Sequence, residues 1–498
     1  MAARARPKNS NEIGATVSLR IYNTLTRQKE DFAELVPGQV GMYVCGVTPY
    51  DVSHIGHARS AVVFDVIRRY LDSRHYRVKF IKNYTDVDDK IIARAAKIGC
   101  TTEELADRFI QAYTSDMVGL GVAPPSDDPR ATEHIPQMTA LIERLLAAGV
   151  AYAVGSDVYF EVRRFPPYGR LSGKNLDELL VGARVEVDER KRDPRDFALW
   201  KSAKPGEPSW PSPWGSGRPG WHIECSAMAM EYLGETIDIH GGGADLIFPH
   251  HECEIAQSEA ATGKPFARYW LHNGFVNLGA EKMSKSLGNV LTIESLLARH
   301  DPEALRFYLL QTHYRGPVEF TEAGVEAAGP PLERFRELVD EAGRLAPAEP
   351  EREPDPAFWS KVEALRDRFQ AAMDDDFNTP QALAALNLLA RALNDERDRV
   401  QRALRTGEDF VTGVSVLTDL GRVLGFSMKG QDFQRAQIFE PEWRARIDAL
   451  VQQREVARKS RDWARADALR AELGAEGVVL KDTPTGTTWT RKTSRIGG

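Results

Sequence analysis

Cysteine is scarce in this chain: Cys45, Cys100, Cys225 and Cys253 are the only four in 498 residues. They are too few and too scattered for a disulfide framework. Scarcity of this kind points to a reducing cytoplasm, where a cysteine serves as packing, nucleophile or metal ligand. Long apolar runs are missing too, and nothing approaches the ~20 residues a membrane helix needs. The opening MAARARPKNSNEIGATVS is basic without an apolar core, so it is no signal peptide. Its arginine bias would suit a short organellar transit peptide, but a flexible extension over residues 1–16 is the plainer expectation. Internal repeats are absent. A positive excess is absent as well: the net charge of −7 argues against nucleic-acid binding by the whole surface, while leaving a local basic face open. What is present, 42% hydrophobic and 28% charged residues, describes a globular chain too long for one core. Three or four domains are expected.

The stretch YVCGVTPYDVSHIGH, residues 43–57, reads as a strand from Tyr43 to Cys45, a turn at Gly46, Thr48 and Pro49, and a helix start after Gly56. Such a turn aims backbone N–H groups at a phosphate. A second strand holds Val78, Phe80 and Ile81 and ends at Asn83–Thr85. Helices follow, one opened by a capping box of Thr101 and Glu104. Strand, helix and strand with short links predict a parallel sheet over residues 17–120. Residues 121–205 look like an insertion with its own hairpin and a long Pro/Gly/Trp-rich loop. The sheet resumes over 206–270, with a glycine-rich turn and a helix from His250. A loop region follows over 271–320 and a helical bundle over 321–427, interrupted by a proline-rich linker at 344–358. The last unit, 428–498, offers one long charged helix and a hairpin.

Two pairs of residues carry chemistry together. His54 and His57 straddle Gly56, and Lys282 and Lys285 sit in KMSKS, flanked by serine and glycine on a loop expected to be mobile. In this order, on either side of a parallel sheet, they resemble the signature of class I aminoacyl-tRNA synthetases. Activating a carboxylate with ATP builds negative charge on the α-phosphate and the departing pyrophosphate, so positioned cations and donors do most of the work. Metal-ligand residues also cluster. Cys45 and Cys225 lie near strand ends, and His250 and Glu254 share one helical face at i, i+4. Two thiolates, an imidazole and a carboxylate make a plausible zinc set. From the residues alone His251, Glu252 and Cys253 compete for these roles, and a closed site that merely braces the sheet is the bland alternative.

YVCGVTPYDVSHIGH, NYTDVDDKI, GWHIECSAM, DIHGGGADLIFPHHECEIAQS and KMSKSLGN together resemble the cysteinyl-tRNA synthetase family, from Leu19 to about Lys492. The resemblance implies a Rossmann-type α/β catalytic domain with an insertion, then a helical bundle and a small C-terminal anticodon-binding domain. It implies one Zn2+ per chain on Cys45, Cys225, His250 and Glu254, joined by the substrate thiolate. It places Thr85 and Trp221 near the bound cysteine, His240, Gly242 and the neighbouring glycines at the adenylate, and Asp245 at the ribose. ATP with Mg2+, L-cysteine and tRNA(Cys) are the implied partners of a cytoplasmic monomer. Gly56 and His57 would meet ATP, and His54, His57, Lys282 and Lys285 would be catalytic.

The C-terminal arginines read first as a solvated helix face. Trp489 beside Arg491 and Lys492 adds a stacking ring among cations and matches the family's tRNA-reading end. Two alternatives remain: a paralogous ligase joining cysteine to an amino-sugar, which lacks the anticodon unit, and a catalytically silent RNA-binding protein. Intact signatures and ligands argue against the second.

Overall fold

The computed structural model describes residues 18–174, 190–278, 281–282, 291–345, 354–402, 407–428, 449–475 except 455, 459 and 461, 478–483 and 486–491. The expected extension over 1–16 lies outside them. The chain divides into two compact units, 1–428 and 429–498. No helix among the described residues is long and apolar enough to cross a membrane.

A small antiparallel pair, β1 (Arg20–Asn23) and β2 (Gln28–Asp31), precedes the main sheet. β3 (Gln39–Val47) is longer than Tyr43–Cys45 because both of its faces are buried. Val40, Met42 and Val44 enter one core, and Tyr43 and Cys45 enter another. This alternation is the period of two that any strand imposes. Then come α1 (Ile55–Ser73) and β4 (Arg77–Tyr84), parallel to β3 from Gln39↔Arg77 to Val44↔Lys82. α2 (Asp89–Ile98) and α3 (Thr102–Gly119) follow. The expected capping box is present, with Glu104 N–H donating to Thr101 Oγ1 at 3.1 Å and Thr101 N–H to Glu104 Oε2 at 2.9 Å.

After α4 (Ile135–Ala147) the insertion forms a four-stranded antiparallel sheet. Its strands are β5 (Ala151–Val154), β6 (Asp157–Phe160), β7 (Phe197–Ser202) and β8 (Gly217–Pro219). The Pro/Gly/Trp-rich stretch therefore contains two strands, and the insertion's sheet runs to Pro219, past the expected boundary at 205. Pro219 fits there because β8 is an edge strand. α5 (Trp221–Leu233), β9 (Ile237–Gly243), α6 (Glu252–Thr262) and β10 (Ala267–Asn273) complete the main sheet. The boundary at 270 likewise moves, since β10 continues to Asn273.

All four main strands are parallel, in the order β10–β9–β3–β4. From β3 the chain crosses to β4 on one side and later to β9 on the other. Such a reversal opens a crevice at the strands' C-terminal ends, where ligands bind in open α/β sheets. Short strands β11 (Val276–Leu278), β12 (Glu281–Lys282) and β13 (Val318–Phe320) form a sheet around α7 (Ile293–Leu297) and α8 (Pro302–Leu310) in sequence. The bundle is α9 (Glu322–Arg344), α10 (Pro356–Asp374), α11 (Thr379–Gln401) and α12 (Glu408–Val423).

In the second unit the expected single helix is interrupted. Helical residues from 449 stop before Ser460, and α13 (Trp463–Ala475) starts anew. Asp462 explains the restart: its Oδ1 accepts from Arg465 N–H at 3.1 Å, as an N-cap carboxylate does. The hairpin is there, with β14 (Val478–Thr483) antiparallel to β15 (Gly486–Arg491) and Leu480 opposite Trp489.

Candidate active site and metal centre

Cys45 near the end of β3, Cys225 in the second turn of α5, His250 ahead of α6 and Glu254 in its first turn are all buried. Their donor atoms lie within 4.8 Å of one another. α6 starts at Glu252, two residues later than expected, because Phe248 has extended angles (φ −141°, ψ 133°) before Pro249. His250 thus sits in a kinked turn, yet its Nε2 is 3.0 Å from Glu254 Oε1. The Cys45 thiol donates to the same oxygen at 3.3 Å. Gly46 lets β3 pass the β4 backbone here, since a Cβ would fall 1.5 Å from the Asn83 carbonyl oxygen.

Charge in this cluster is unevenly shared. Burial, with the adjoining Cys225 and Glu254, holds the Cys45 thiol well above its usual value. Burial would also raise Cys225, but the hydrogen bond from Cys45 and the His250 charge bring it down to about 6. Burial opposes charge on His250 too, yet Glu254 and Cys225 raise it to about 10. Against its own burial, Glu254 is held well below the carboxylate range by His240 and His250. Two anions and a cation buried together are the balance a divalent, borderline-soft ion would take over. The donor set fits such an ion. A second group, Cys45, His240, His251 and Glu254, shares the 4.8 Å criterion. The competition among neighbouring histidines foreseen in the sequence thus persists for His251, while Cys253 turns away to Tyr168, 3.2 Å from its hydroxyl.

Above this floor opens a cavity of about 450 Å3, lined by Cys45, Gly56, His57, Trp221 and Asp245 among others. His54 caps α1. Its Nδ1 accepts from Gly56 N–H at 3.1 Å, and His57 Nδ1 accepts from His54 N–H at 3.1 Å. An Nδ1 that accepts an amide proton leaves Nε2 as that ring's N–H. The rings stack at 3.8 Å. The expected cradle of backbone N–H groups is accordingly already engaged: Ile55 N–H goes to Leu291 O at 3.1 Å and Ala58 N–H to His54 O at 3.2 Å.

Trp221, 38% exposed, stacks on His250 at 4.4 Å and so joins the metal cluster to the cavity. Thr85 is buried, and its hydroxyl accepts from Asn83 Nδ2 at 3.3 Å. His240 and Gly242, expected at the adenylate, are both buried. His240 is buried on Glu254, 2.8 Å from Nε2 to Oε2, and stacks on Trp270 at 4.4 Å. Gly242 is buried with a Cβ position 2.9 Å from His251. They support the floor, while Gly243 and Asp245 line the cavity. Lys282 contributes backbone to β12, paired with Asn277. Lys285 and Lys492 lie outside the described residues, and Trp489 and Arg491 are described by their backbone in β15. Beyond the lysine motif the chain is stitched to the histidine turn: His54 bridges Thr292, and Ile293 N–H donates to Ser53 O at 3.0 Å.

Sequence reasoning missed the outer histidines. His222 Nδ1 lies 2.9 Å from His250 Nδ1, and His251 Nδ1 lies 2.8 Å from His272 Nε2. The doublet His250–His251 and His222 three residues before Cys225 were the available signals.

A family model of the tRNA synthetases class I (C) catalytic domain matches residues 31–329. Solved structures share the fold. A Mycobacterium tuberculosis methionyl-tRNA synthetase in complex with methionyl-adenylate has a TM-score of 0.59 at 17% identity, covering 78% of this chain and 90% of that one. A ternary LeuRS–tRNA–LeuAMS complex of Agrobacterium radiobacter has a TM-score of 0.58 at 12% identity, covering 80% and 86%. With the parallel sheet and the histidine turn, the match over residues 31–329 defines a class I aminoacyl-tRNA synthetase. Further family models match a DALR domain at 368–429 and a cysteinyl-tRNA ligase anticodon binding domain at 440–489. The cysteine–tRNA ligase of Geobacter sulfurreducens is 52% identical over 494 residues, covering 95% of this chain and 99% of that protein. That of Alkalilimnicola ehrlichii is 52% identical over 479 residues, covering 95% and 100%. The chain belongs to the cysteine–tRNA ligase family and is an enzyme that aminoacylates tRNA. The matched anticodon-binding domain removes the amino-sugar ligase as an alternative.

Proposed function

We propose that this cysteine–tRNA ligase selects its amino acid with one zinc ion held by Cys45, Cys225, His250 and Glu254. The supporting observation is the convergence of four buried donor atoms within 4.8 Å beside the cavity wall at Trp221. When bound, zinc supplies a soft Lewis acid for which the substrate's thiolate is a better donor than a serine hydroxyl. Pocket shape alone would separate such near-isosteres by only ~1–3 kcal/mol.

The chain's own residues do the rest. Trp221 covers the cysteine, with Thr85 behind it. His54 and His57 donate Nε2–H to the α-phosphate of ATP, which arrives with Mg2+, and Gly56 keeps the turn close. Asp245 and Gly243 face the ribose. Lys282 and Lys285 draw on the departing phosphates. Cysteinyl-adenylate then passes its acyl group to the terminal adenosine of tRNA(Cys), whose far end meets Trp489, Arg491 and Lys492.

Metal analysis of the purified enzyme tests the ligand set. About one zinc per chain is expected, lost in Cys225→Ser and kept in Cys253→Ser and Cys100→Ser. Active enzyme without zinc, or zinc retained by Cys225→Ser, would overturn it.

A further inference from the structure

The cavity holds a cation that neither signature motif supplies. Lys82, near the end of β4, lines it together with His57, Ser60 and Tyr113. Its Nζ donates to the Tyr113 hydroxyl at 2.6 Å and stands 5.3 Å from the centre of that ring. Among the described residues no carboxylate pairs with it. Burial depresses its pKa to about 8, with no anion offsetting the effect. A half-buried ammonium that lacks a counter-charge is the kind of group found where an anion arrives.

The surroundings say which anion. The backbone donors at the start of α1 are engaged, and Nδ1 of His54 and of His57 each accepts an amide proton. Lys90, the other lysine among the described lining residues, is exposed and lies 5.5 Å from the Tyr50 ring. Across the sheet, Gly243 and Asp245 follow β9, while Lys82 is on β4 at the opposite edge, with β3 and α1 between them. An ATP with its ribose at Asp245 and its α-phosphate at His57 extends its remaining phosphates toward β4. α7, which follows the lysine motif in the chain, packs on α3, the helix carrying Tyr113.

We propose that Lys82 is a further catalytic residue, binding the β- and γ-phosphates of ATP and the pyrophosphate that leaves. In the step it serves, a carboxylate oxygen of cysteine bonds to the α-phosphorus. The bond from that phosphorus to the α–β bridging oxygen breaks, and its electron pair departs with pyrophosphate. Lys82 meets that added charge from a strand, where its position is fixed before the substrate binds. This rests on the ATP placement proposed above.

The test is single-turnover adenylation and its reversal by pyrophosphate in the full-length zinc enzyme, comparing Lys82→Met, Lys82→Gln and Lys82→Arg with His57→Asn. Lys82→Met should slow adenylation roughly 10²-fold and raise the KM for pyrophosphate at least as much, with the KM for cysteine unchanged. Lys82→Arg should recover most of the rate, because it keeps the charge. Lys82→Gln separates charge from shape should the methionine variant lose its fold. Unimpaired adenylation in Lys82→Met or Lys82→Gln beside a defective His57→Asn would overturn the inference alone. Unimpaired adenylation in both would overturn the ATP placement itself. Intact adenylation with a raised KM for tRNA would assign Lys82 to the acceptor end and reject it as a pyrophosphate ligand.

Discussion

At the scale of single residues, two kinds of support divide the chemistry. His54 and His57 are held by backbone amides: His54 Nδ1 accepts from Gly56 N–H, and His57 Nδ1 accepts from His54 N–H. The lysines of the KMSKS motif carry charge without such a lock in the sequence, between serines and before a glycine. Their charge matters most when pyrophosphate departs. Lys285→Ala should therefore lower the single-turnover adenylation rate by roughly 10²-fold or more while ATP affinity changes little. Weakened ATP binding with an unchanged rate would contradict that role. Residue identity made these groups candidates in the sequence, because few side chains can meet developing phosphate charge. The burial of His240 and Gly242 beneath the cavity was not legible. Both lie within β9, and the side of it they face is set by burial against Trp270 and His251.

Elements join through a pair that no local pattern announces. Asp65 on α1 and Arg306 on α8 are both 1% exposed, and Arg306 Nη2 bonds Asp65 Oδ2. Arg306 also donates to the carbonyls of Leu424 beyond α12 and of Leu120 and Gly121 beyond α3. One guanidinium thus ties the catalytic sheet to the bundle. Burial would raise Asp65, but Arg306 and Arg69 hold it below the ordinary carboxylate value, so it is an anion. Asp65→Asn should leave a buried cation unpaired and cost about 3–5 kcal/mol in denaturant unfolding. A loss below about 1 kcal/mol would mean the carbonyls suffice. Elements with local signals were read correctly, as at the Thr101–Glu104 box. β7 and β8 escaped because they hold their places by pairing across the insertion, Trp200↔Pro219 and Lys201↔Arg218, inside a stretch whose prolines and glycines read as loop. The break before α13 was missed because the charged run keeps its helical period across Asp462, and only the cap marks the restart.

For the whole molecule, the division of labour follows the division into compact units at 428 and 429. Every residue assigned to ATP, zinc and cysteine lies in the first unit, which has its own cores around the parallel sheet and the bundle. The second unit contains the anticodon-binding match and the hairpin bearing Trp489. The sequence suggested an order of domains because linkers and changes of period mark it. The exact edges were not, because the insertion's last strand and the sheet's last strand close their partners only in three dimensions. A chain ending at Met428 should therefore retain the cysteine-dependent exchange of pyrophosphate into ATP at close to the full-length rate. Its tRNA charging should fall by orders of magnitude, chiefly through the KM for tRNA, since binding lost far from the reacting atoms removes affinity before it alters the chemical step. Both activities are measured on the same preparation, with zinc content as the check that the first unit is intact. Full charging by the truncated enzyme would remove the C-terminal unit from tRNA recognition. Loss of exchange together with retained zinc would show that the second unit also governs the adenylation site.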